Sequence, residues 1–162
     1  MENDIILLEK ELKTDMIELG YETNTRSTAM YIIICLDDNN GLAFNHRRQS
    51  QDRIVAEDIN KTVGEKKLLM IDYSRKLFQS GSNLEISENP KEEAKEGEYV
   101  FQELETLDTG DERIEQLIIY RWNRVYPADV SVEIGTEWKL TETEEFSGFS
   151  HEKITKEIYC RE

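Results

Sequence analysis

The densest group of side chains that could do chemistry is the run from residue 45 to 53, Asn-His-Arg-Arg-Gln-Ser-Gln-Asp-Arg. It lies where a predicted strand gives way to a predicted helix. Unpaired backbone N–H groups and the positive end of the helix dipole lie at such a junction, and arginine adds bidentate donors for phosphate or carboxylate. The run therefore predicts an anion-binding site with four candidate ligands: His46, Arg47, Arg48 and Arg53.

The charge around this run differs from the charge of the whole chain. Residues 40–79 contain eight basic and five acidic residues, whereas the chain has 20 basic and 35 acidic residues and a formal charge of −15. Pairing of the arginines with the surplus carboxylates would leave no site, and this alternative stays open. The run lacks the glycines of a phosphate-binding loop or a dinucleotide fingerprint, so the sequence predicts no cofactor.

A second cluster, Tyr-Arg-Trp-Asn-Arg-Val-Tyr from residue 120 to 126, follows the most apolar part of a predicted strand. Arg121 and Arg124 could join the anion site. Tryptophan and tyrosine dominate binding hot spots, so the partner-binding candidates are Trp122, Tyr126 and Trp138. An ordinary core tryptophan with arginine stems packed over the sheet would explain the same pattern.

Tyr73 is a third candidate, because its hydroxyl is followed closely by Arg75 and Lys76. We include it among the ligand-binding residues of the predicted anion site. A charged turn between two strands is the alternative explanation.

Metal and hydrolase motifs are not found. The chain has only two histidines, and the residues after His151 place Ile154 and Thr155 where the second ligand of an HExxH motif would lie. A calcium loop centred on Gly41 would put Arg47 at a position that needs a carboxylate. Either histidine could activate a distant serine, but no GxSxG elbow supports a particular one. The sequence predicts no metal site and leaves open whether the protein is an enzyme.

Several elements are predicted around these candidates. Apolar positions three and four residues apart predict a helix over residues 4–19, and a similar pattern predicts a second helix after Ser50 that ends at Gly64, with Ser50 or Asn45 as its N-cap. The β-branched run 31–36 predicts a strand. The Asn-Gly pair after it favours a hairpin with residues 42–44, and residues 68–71 predict a further strand.

The second half predicts a meander of antiparallel strands over residues 99–104, 114–122, 130–134 and 138–143. A last helix is predicted after Ser150, with Ile154 and Ile158 on one face. The element order predicts an α+β fold, an antiparallel or mixed sheet of about six strands with three helices packed mainly on one face. A three-layer α/β fold is the alternative. We expect residues 1–162 to form a single globular domain with a flexible acidic loop at about 80–98.

Composition limits the classes of function. No apolar run reaches the ~20 residues of a membrane span, and acidic residues near the start are unlike a signal peptide, so we expect a cytoplasmic protein with two free cysteines. The charge of −15 argues against direct binding to nucleic acid or to anionic membranes. The same charge would attract a basic protein partner.

Two functions from different classes follow. The first is a binding, inhibitor or regulatory protein that captures a basic protein partner. The second is a small enzyme or ligand-binding module for an anionic ligand, phosphate or carboxylate, held by the Arg-rich strand-to-helix site. The sequence does not predict the oligomeric state.

Overall fold

A mixed seven-stranded sheet forms the centre of the protein. The computed structural model describes residues 29–78 and 83–162, so the predicted helix at 4–19 lies outside the described residues. The strands are β1 (Met30–Leu36), β2 (Gly41–Phe44), β3 (Arg47–Arg48), β4 (Leu68–Met70), β5 (Leu84–Ile86), β6 (Tyr99–Phe101), β7 (Ile114–Arg121), β8 (Val130–Ser131), β9 (Trp138–Phe146) and β10 (Ile154–Arg161). The described helices are α1 (Arg53–Val63), α2 (Pro90–Glu93) and a 3₁₀ helix (Asp72–Phe78).

The strand order of the large sheet is β5-β4-β6-β1-β7-β10-β9, and β3-β2-β8 form a small second sheet. The predicted α+β class with a mixed sheet is confirmed, although there are more strands than expected. The predicted antiparallel meander is wrong, because β6 and β7 both run parallel to β1 and flank it. Continuous apolar runs such as β1, buried on both faces, are typical of parallel strands.

The predicted hairpin between β1 and β2 is also wrong. The turn itself is present, with Asn40 at a φ of 61°. The Asp37 carboxylate accepts hydrogen bonds from the Asn39 and Gly41 N–H groups at 2.8 and 2.7 Å. Because β6 and β7 occupy both edges of β1, β2 leaves the large sheet and pairs with β3 and β8.

Helix α1 ends as predicted, but its N-cap lies two residues after Ser50. Asp52 is the N-cap, and its carboxylate accepts a hydrogen bond from the Ile54 N–H at 2.9 Å. Gly64 ends the helix with a φ of 64°, a conformation that glycine adopts without strain. The buried residues Val55, Ile59 and Val63 face the sheet.

The predicted C-terminal helix is a strand. Residues 154–161 form β10, which lies between β7 and β9 and pairs antiparallel with both. Ile154 and Ile158 share one face of a strand as well as one face of a helix, since their spacing of four satisfies both periods. Sheet pairing on both edges decides between the two structures.

The sheet separates two apolar cores. The 3₁₀ helix and α1 cover one face, where Ile33, Phe101, Ile118 and Tyr120 are buried. The other face carries Ile32, Ile34, Leu117 and Ile119, packed against the small sheet. The segment 83–98, part of the acidic loop expected at about 80–98, contains β5 and α2. Within the described ranges, no helix has the length and apolar character needed to cross a bilayer.

Candidate functional site

The Asp52 carboxylate is the most heavily hydrogen-bonded side chain at the start of α1. Its side chain is fully buried. Besides the Ile54 N–H, it accepts hydrogen bonds from the backbone N–H groups of Phe149 and Ser150, each at 2.8 Å. The loop between β9 and β10 is thereby fixed to the beginning of α1.

Asp52 also binds the imidazole of His151, with 2.8 Å between Oδ2 and Nδ1. Burial raises the pKa of Asp52, but the hydrogen bonds from Phe149, His151, Ser150 and Ile54 outweigh burial and hold the pKa well below its ordinary value. The carboxylate is therefore ionised at neutral pH and can only accept. It follows that Nδ1 of His151 carries a hydrogen atom and donates a hydrogen bond to Asp52.

The other ring nitrogen of His151 faces two hydroxyl groups. Nε2 lies 3.0 Å from Ser50 Oγ and 3.1 Å from the Tyr126 hydroxyl oxygen. The Trp122 ring stacks on the imidazole with 4.6 Å between centroids. We refer to Ser50, Asp52, Trp122, Tyr126 and His151 as the His151 network.

Close packing brings the loop of His151 against α1. A Cβ atom at Gly148 would lie 2.6 Å from Asp52 Oδ2 and 2.9 Å from the His151 carbonyl oxygen. Real Cβ atoms do not approach other atoms that closely. Glycine at this position therefore permits the contact between the loop and the carboxylate.

Two cavities adjoin the network. A small one, of about 20 Å³, is lined mainly by apolar side chains together with Ser50, Asp52 and Glu103. Cys35 lines the same cavity, and burial raises the pKa of its thiol. A larger open cleft, of about 400 Å³, lies between α1 and the 3₁₀ helix and is lined by Gln51, Asp52, Arg53, Ala56, Glu57, Asn60, Lys76 and Leu77.

Arg53 lies at the rim of the larger cleft. Its guanidinium stacks on the Phe149 ring, 4.1 Å from the centroid, and the exposed Lys76 lines the opposite wall. Among the described residues, the salt bridges involve other cations. Both side chains line the cleft, and neither has a salt-bridge partner in the described part of the chain.

Arg48 and Tyr73 come together elsewhere, around Glu103. The Arg48 guanidinium donates to both Glu103 oxygens at 2.8 and 3.0 Å and lies 4.2 Å from the Tyr73 ring centroid. Ser74 Oγ donates to the same carboxylate at 2.7 Å. Burial lowers the pKa of Arg48, but the hydrogen bonds and charge of Glu103 outweigh burial and raise that pKa above its ordinary value, so the guanidinium stays charged.

The remaining arginines of the predicted anion site are dispersed. Arg121 donates to Glu157 at 2.9 Å and also binds Asn40. His46, Arg47 and Arg124 are exposed, and Arg47 lines a separate cleft of about 210 Å³ with Arg48 and Tyr126.

The predicted partner-binding residues lie mostly inside the protein. Trp122 is 3% exposed and Trp138 is 7% exposed. Trp138 Nε1 donates to the Thr109 carbonyl oxygen at 2.9 Å, and Arg161 stacks on its ring. Tyr126 is half-buried, with its hydroxyl directed at the His151 network.

Sequence reasoning did not assign Asp52 or His151 to a site. Ser50 and Asp52 are nearly adjacent in sequence, but His151 follows about a hundred residues later in a loop that was assigned to a helix. The chain has only two histidines, and this scarcity was the only feature of the sequence that pointed to His151. Among the described residues, no group of three or more His, Cys, Asp or Glu side chains could hold a metal ion.

A further crevice, of about 140 Å³, lies at the carboxyl ends of β4, β5 and β6. Four glutamates line it, Glu88, Glu92, Glu103 and Glu105, together with Lys91. In sheets with parallel strands, ligands commonly bind outside the carboxyl ends of the strands. The charged residues that line this crevice are mostly acidic, whereas the cleft beside Arg53 has both Arg53 and Lys76 in its lining.

Comparison with known proteins identifies the fold but no family. No protein-family model matches the sequence, and no curated protein matches it. A solved structure that matches is the dihydrofolate reductase from Enterococcus faecalis complexed with NADP(H) and RAB-propyl. The TM-score is 0.57 at 8% identity, and the alignment covers 83% of this chain and 97% of the reductase. This chain therefore has a dihydrofolate reductase-like fold.

Proposed function

We propose that this protein is a small-molecule-binding module for an anionic ligand, which lies in the cleft between α1 and the 3₁₀ helix. The observation that carries the proposal is the pair of cations, Arg53 and Lys76, on the two walls of a cleft of about 400 Å³. Ligand sites of small molecules commonly have volumes of roughly 300–1,000 Å³. The reductase of similar fold is complexed with ligands, which is consistent with such a site.

The chemistry of the cleft favours a carboxylate or phosphate attached to a flat apolar group. Stacking on Phe149 holds the Arg53 guanidinium in one plane, and a fixed guanidinium can donate two parallel hydrogen bonds to an oxyanion. Ala56 and Leu77 supply apolar surface in the same cleft. Glu57 also lines it and disfavours ligands with several negative charges.

A dinucleotide does not fit the acidic crevice. Four glutamates and a single lysine surround that space, and like charges repel the phosphate groups of NADP(H). Its volume of about 140 Å³ is also below that of ordinary ligand sites. The acidic crevice is therefore not part of the proposed ligand site.

The test is a thermal-shift titration with phenyl phosphate and benzoate, with benzyl alcohol as the uncharged comparison. A ligand that binds only the folded state raises the melting temperature by mass action. We expect the two anions to raise the melting temperature and benzyl alcohol to leave it unchanged. The response should weaken at high salt because Arg53 and Lys76 are exposed.

Variants distinguish binding in the cleft from a general effect of the protein's charge on ligand binding. Arg53→Gln combined with Lys76→Gln should weaken binding of phenyl phosphate at least about tenfold, the loss of roughly 1.4 kcal/mol. Lys66→Gln removes a positive charge from an exposed residue outside the cleft and should have no effect. Equal responses from the double variant and the control would contradict the proposal.

Capture of a basic protein partner is the second candidate function. The edge strand β9 supports it, because seven of its nine residues are exposed, including Glu142, Glu144 and Glu145. Trp122 and Trp138 are buried, so this candidate depends on carboxylates rather than on aromatic anchors. Poly-lysine binding that is lost at high salt and in Glu142→Gln/Glu144→Gln/Glu145→Gln would favour it. Binding unaffected by those substitutions would count against it.

A further inference from the structure

Two contacts of the His151 network match those of a serine nucleophile activated by histidine. Asp52 holds Nδ1–H of the imidazole at 2.8 Å. In the neutral imidazole that carries its hydrogen on Nδ1, the opposite nitrogen, Nε2, accepts a hydrogen bond from Ser50 Oγ at 3.0 Å. A Ser-His-Asp triad is recognised by this geometry and not by the order of its residues in the chain.

We propose that Ser50, His151 and Asp52 form a nucleophilic site that hydrolyses esters of small acyl groups. Ser50 is the nucleophile, His151 the general base and then the general acid, and Asp52 the group that fixes the imidazole tautomer. This activity goes beyond the proposed ligand binding. It depends on the hydrogen bonds around His151 and not on an anion in the cleft.

Tyr126 completes the polar surroundings of the nucleophile. Its hydroxyl lies 3.4 Å from Ser50 Oγ and 3.1 Å from His151 Nε2. The Tyr126 hydroxyl donates to Ser50 Oγ, and that hydrogen bond weakens once Oγ bonds to the acyl carbon. The hydroxyl can then donate to the negative oxygen that forms on the acyl carbon, as side-chain donors do in oxyanion holes.

Trp122 and the burial of His151 keep the base in one orientation. The imidazole is 5% exposed and stacks on the indole at an interplanar angle of 23°. The ionised Asp52 and the indole face both stabilise the imidazolium that forms during the reaction. A fixed base requires little reorganisation at the moment of proton transfer.

The cavity beside Ser50 sets the size of the acyl group. It measures about 20 Å³ and is lined by the apolar side chains of Phe101 and Trp122, among others. That space is close to the size of one water molecule, so it accepts a methyl group but not a long chain. Gln51 and Leu77 line both this cavity and the larger cleft, which leaves room for the alcohol part of the ester.

The reaction balances with water as the only co-reactant. Ser50 Oγ bonds to the ester carbonyl carbon while its proton moves to His151 Nε2. The bond from the carbonyl carbon to the alcohol oxygen breaks, and the alcohol leaves with that proton. Water, deprotonated by His151, then attacks the acyl-serine. A carboxylic acid leaves, and Ser50 regains its proton.

Covalent labelling tests the nucleophile directly. A fluorophosphonate probe loses fluoride to an activated serine and adds a mass that peptide sequencing can place. We expect labelling at Ser50 in the full chain and none in Ser50→Ala. Ser131→Ala, which removes an exposed hydroxyl on β8, should label like the wild type. Folded wild-type protein that remains unlabelled, or labels only at other serines, would overturn the proposal.

Turnover of p-nitrophenyl acetate separates an active nucleophile from a structural hydrogen bond. Ser50→Ala and His151→Gln should each lower the steady-state rate at least about 100-fold, and Tyr126→Phe about tenfold. Melting temperatures of the variants show whether each one folds. Folded Ser50→Ala with the wild-type rate would refute the proposal. The outcome is independent of the phenyl phosphate titration, so either proposal can fail alone.

Discussion

Replacing Asp52 with alanine should destabilise the protein more than any other single change at the site. The substitution leaves four donors without an acceptor: the backbone N–H groups of Ile54, Phe149 and Ser150, and Nδ1–H of His151. Ser150 Oγ also donates to Asp52, but it keeps the Gln51 carbonyl oxygen as an acceptor at 3.2 Å. Each hydrogen bond contributes about 1 kcal/mol net, so we expect a loss of about 4 kcal/mol. Breaking a buried charged pair commonly costs about 3–5 kcal/mol, which agrees with this sum.

Urea unfolding followed by tryptophan fluorescence measures this loss, because Trp122 stacks directly on His151. Asp38→Ala is the matched control, since Asp38 is an exposed aspartate in the turn after β1 and its loss should change stability by less than about 0.5 kcal/mol. A decrease below about 1 kcal/mol for Asp52→Ala would refute the account of the carboxylate as the centre of this network.

The same residue predicts how stability depends on pH. Because the pKa of Asp52 is lower in the folded protein than its ordinary value of 3.8, its ionised form stabilises the fold above that pH. The contribution is lost as the pH falls below about 4 towards the folded-state pKa. The free energy of unfolding should therefore fall more steeply in the wild type than in Asp52→Asn over this range. Parallel curves would contradict the lowered pKa.

Three other predictions concern single residues near the site. Glu103→Ala leaves the half-buried Arg48 guanidinium without its partner and should lower the free energy of unfolding in urea by about 3 kcal/mol. A decrease below about 1 kcal/mol would mean that the ion pair is solvated. Gly148→Ala should cost about 1–3 kcal/mol because the new methyl group would meet Asp52 Oδ2, and an unchanged midpoint would show that the loop can move. Iodoacetamide at pH 8 should modify Cys35 at least tenfold more slowly in folded than in unfolded protein, because burial raises the pKa of the thiol. Mass spectrometry of the peptide that contains Cys35 measures the rate. Equal rates would mean that the thiol is accessible.

Sequence patterns predicted the elements whose signals are local. The apolar run of β1, the periodicity of α1 and the glycine at its end each depend on neighbouring residues alone, and each prediction is confirmed. These are properties of one strand or one helix and need no knowledge of its partners.

Partner choice was not available from the sequence. Residues 154–161 satisfy a helical spacing and a strand spacing equally, and only the position between β7 and β9 makes them β10. Similarly, the Asn-Gly turn predicted a hairpin, but β6 and β7 occupy both edges of β1. Which strands pair depends on how well segments that are distant in sequence pack together, and a local pattern carries no information about that.

The candidate site shows the same difference between what local sequence patterns predict and what tertiary contacts decide. The sequence by itself determined an acidic α+β protein with a cluster of polar residues before α1, because composition and local period suffice for that much. Only the tertiary structure directed Arg48 to Glu103, left Arg53 on the cleft and brought His151 to Asp52. The physical reason is that a carboxylate buried at a helix start accepts hydrogen bonds from whichever donors the folded chain places around it. Apart from the Ile54 N–H, the donors to Asp52 lie about a hundred residues away along the chain.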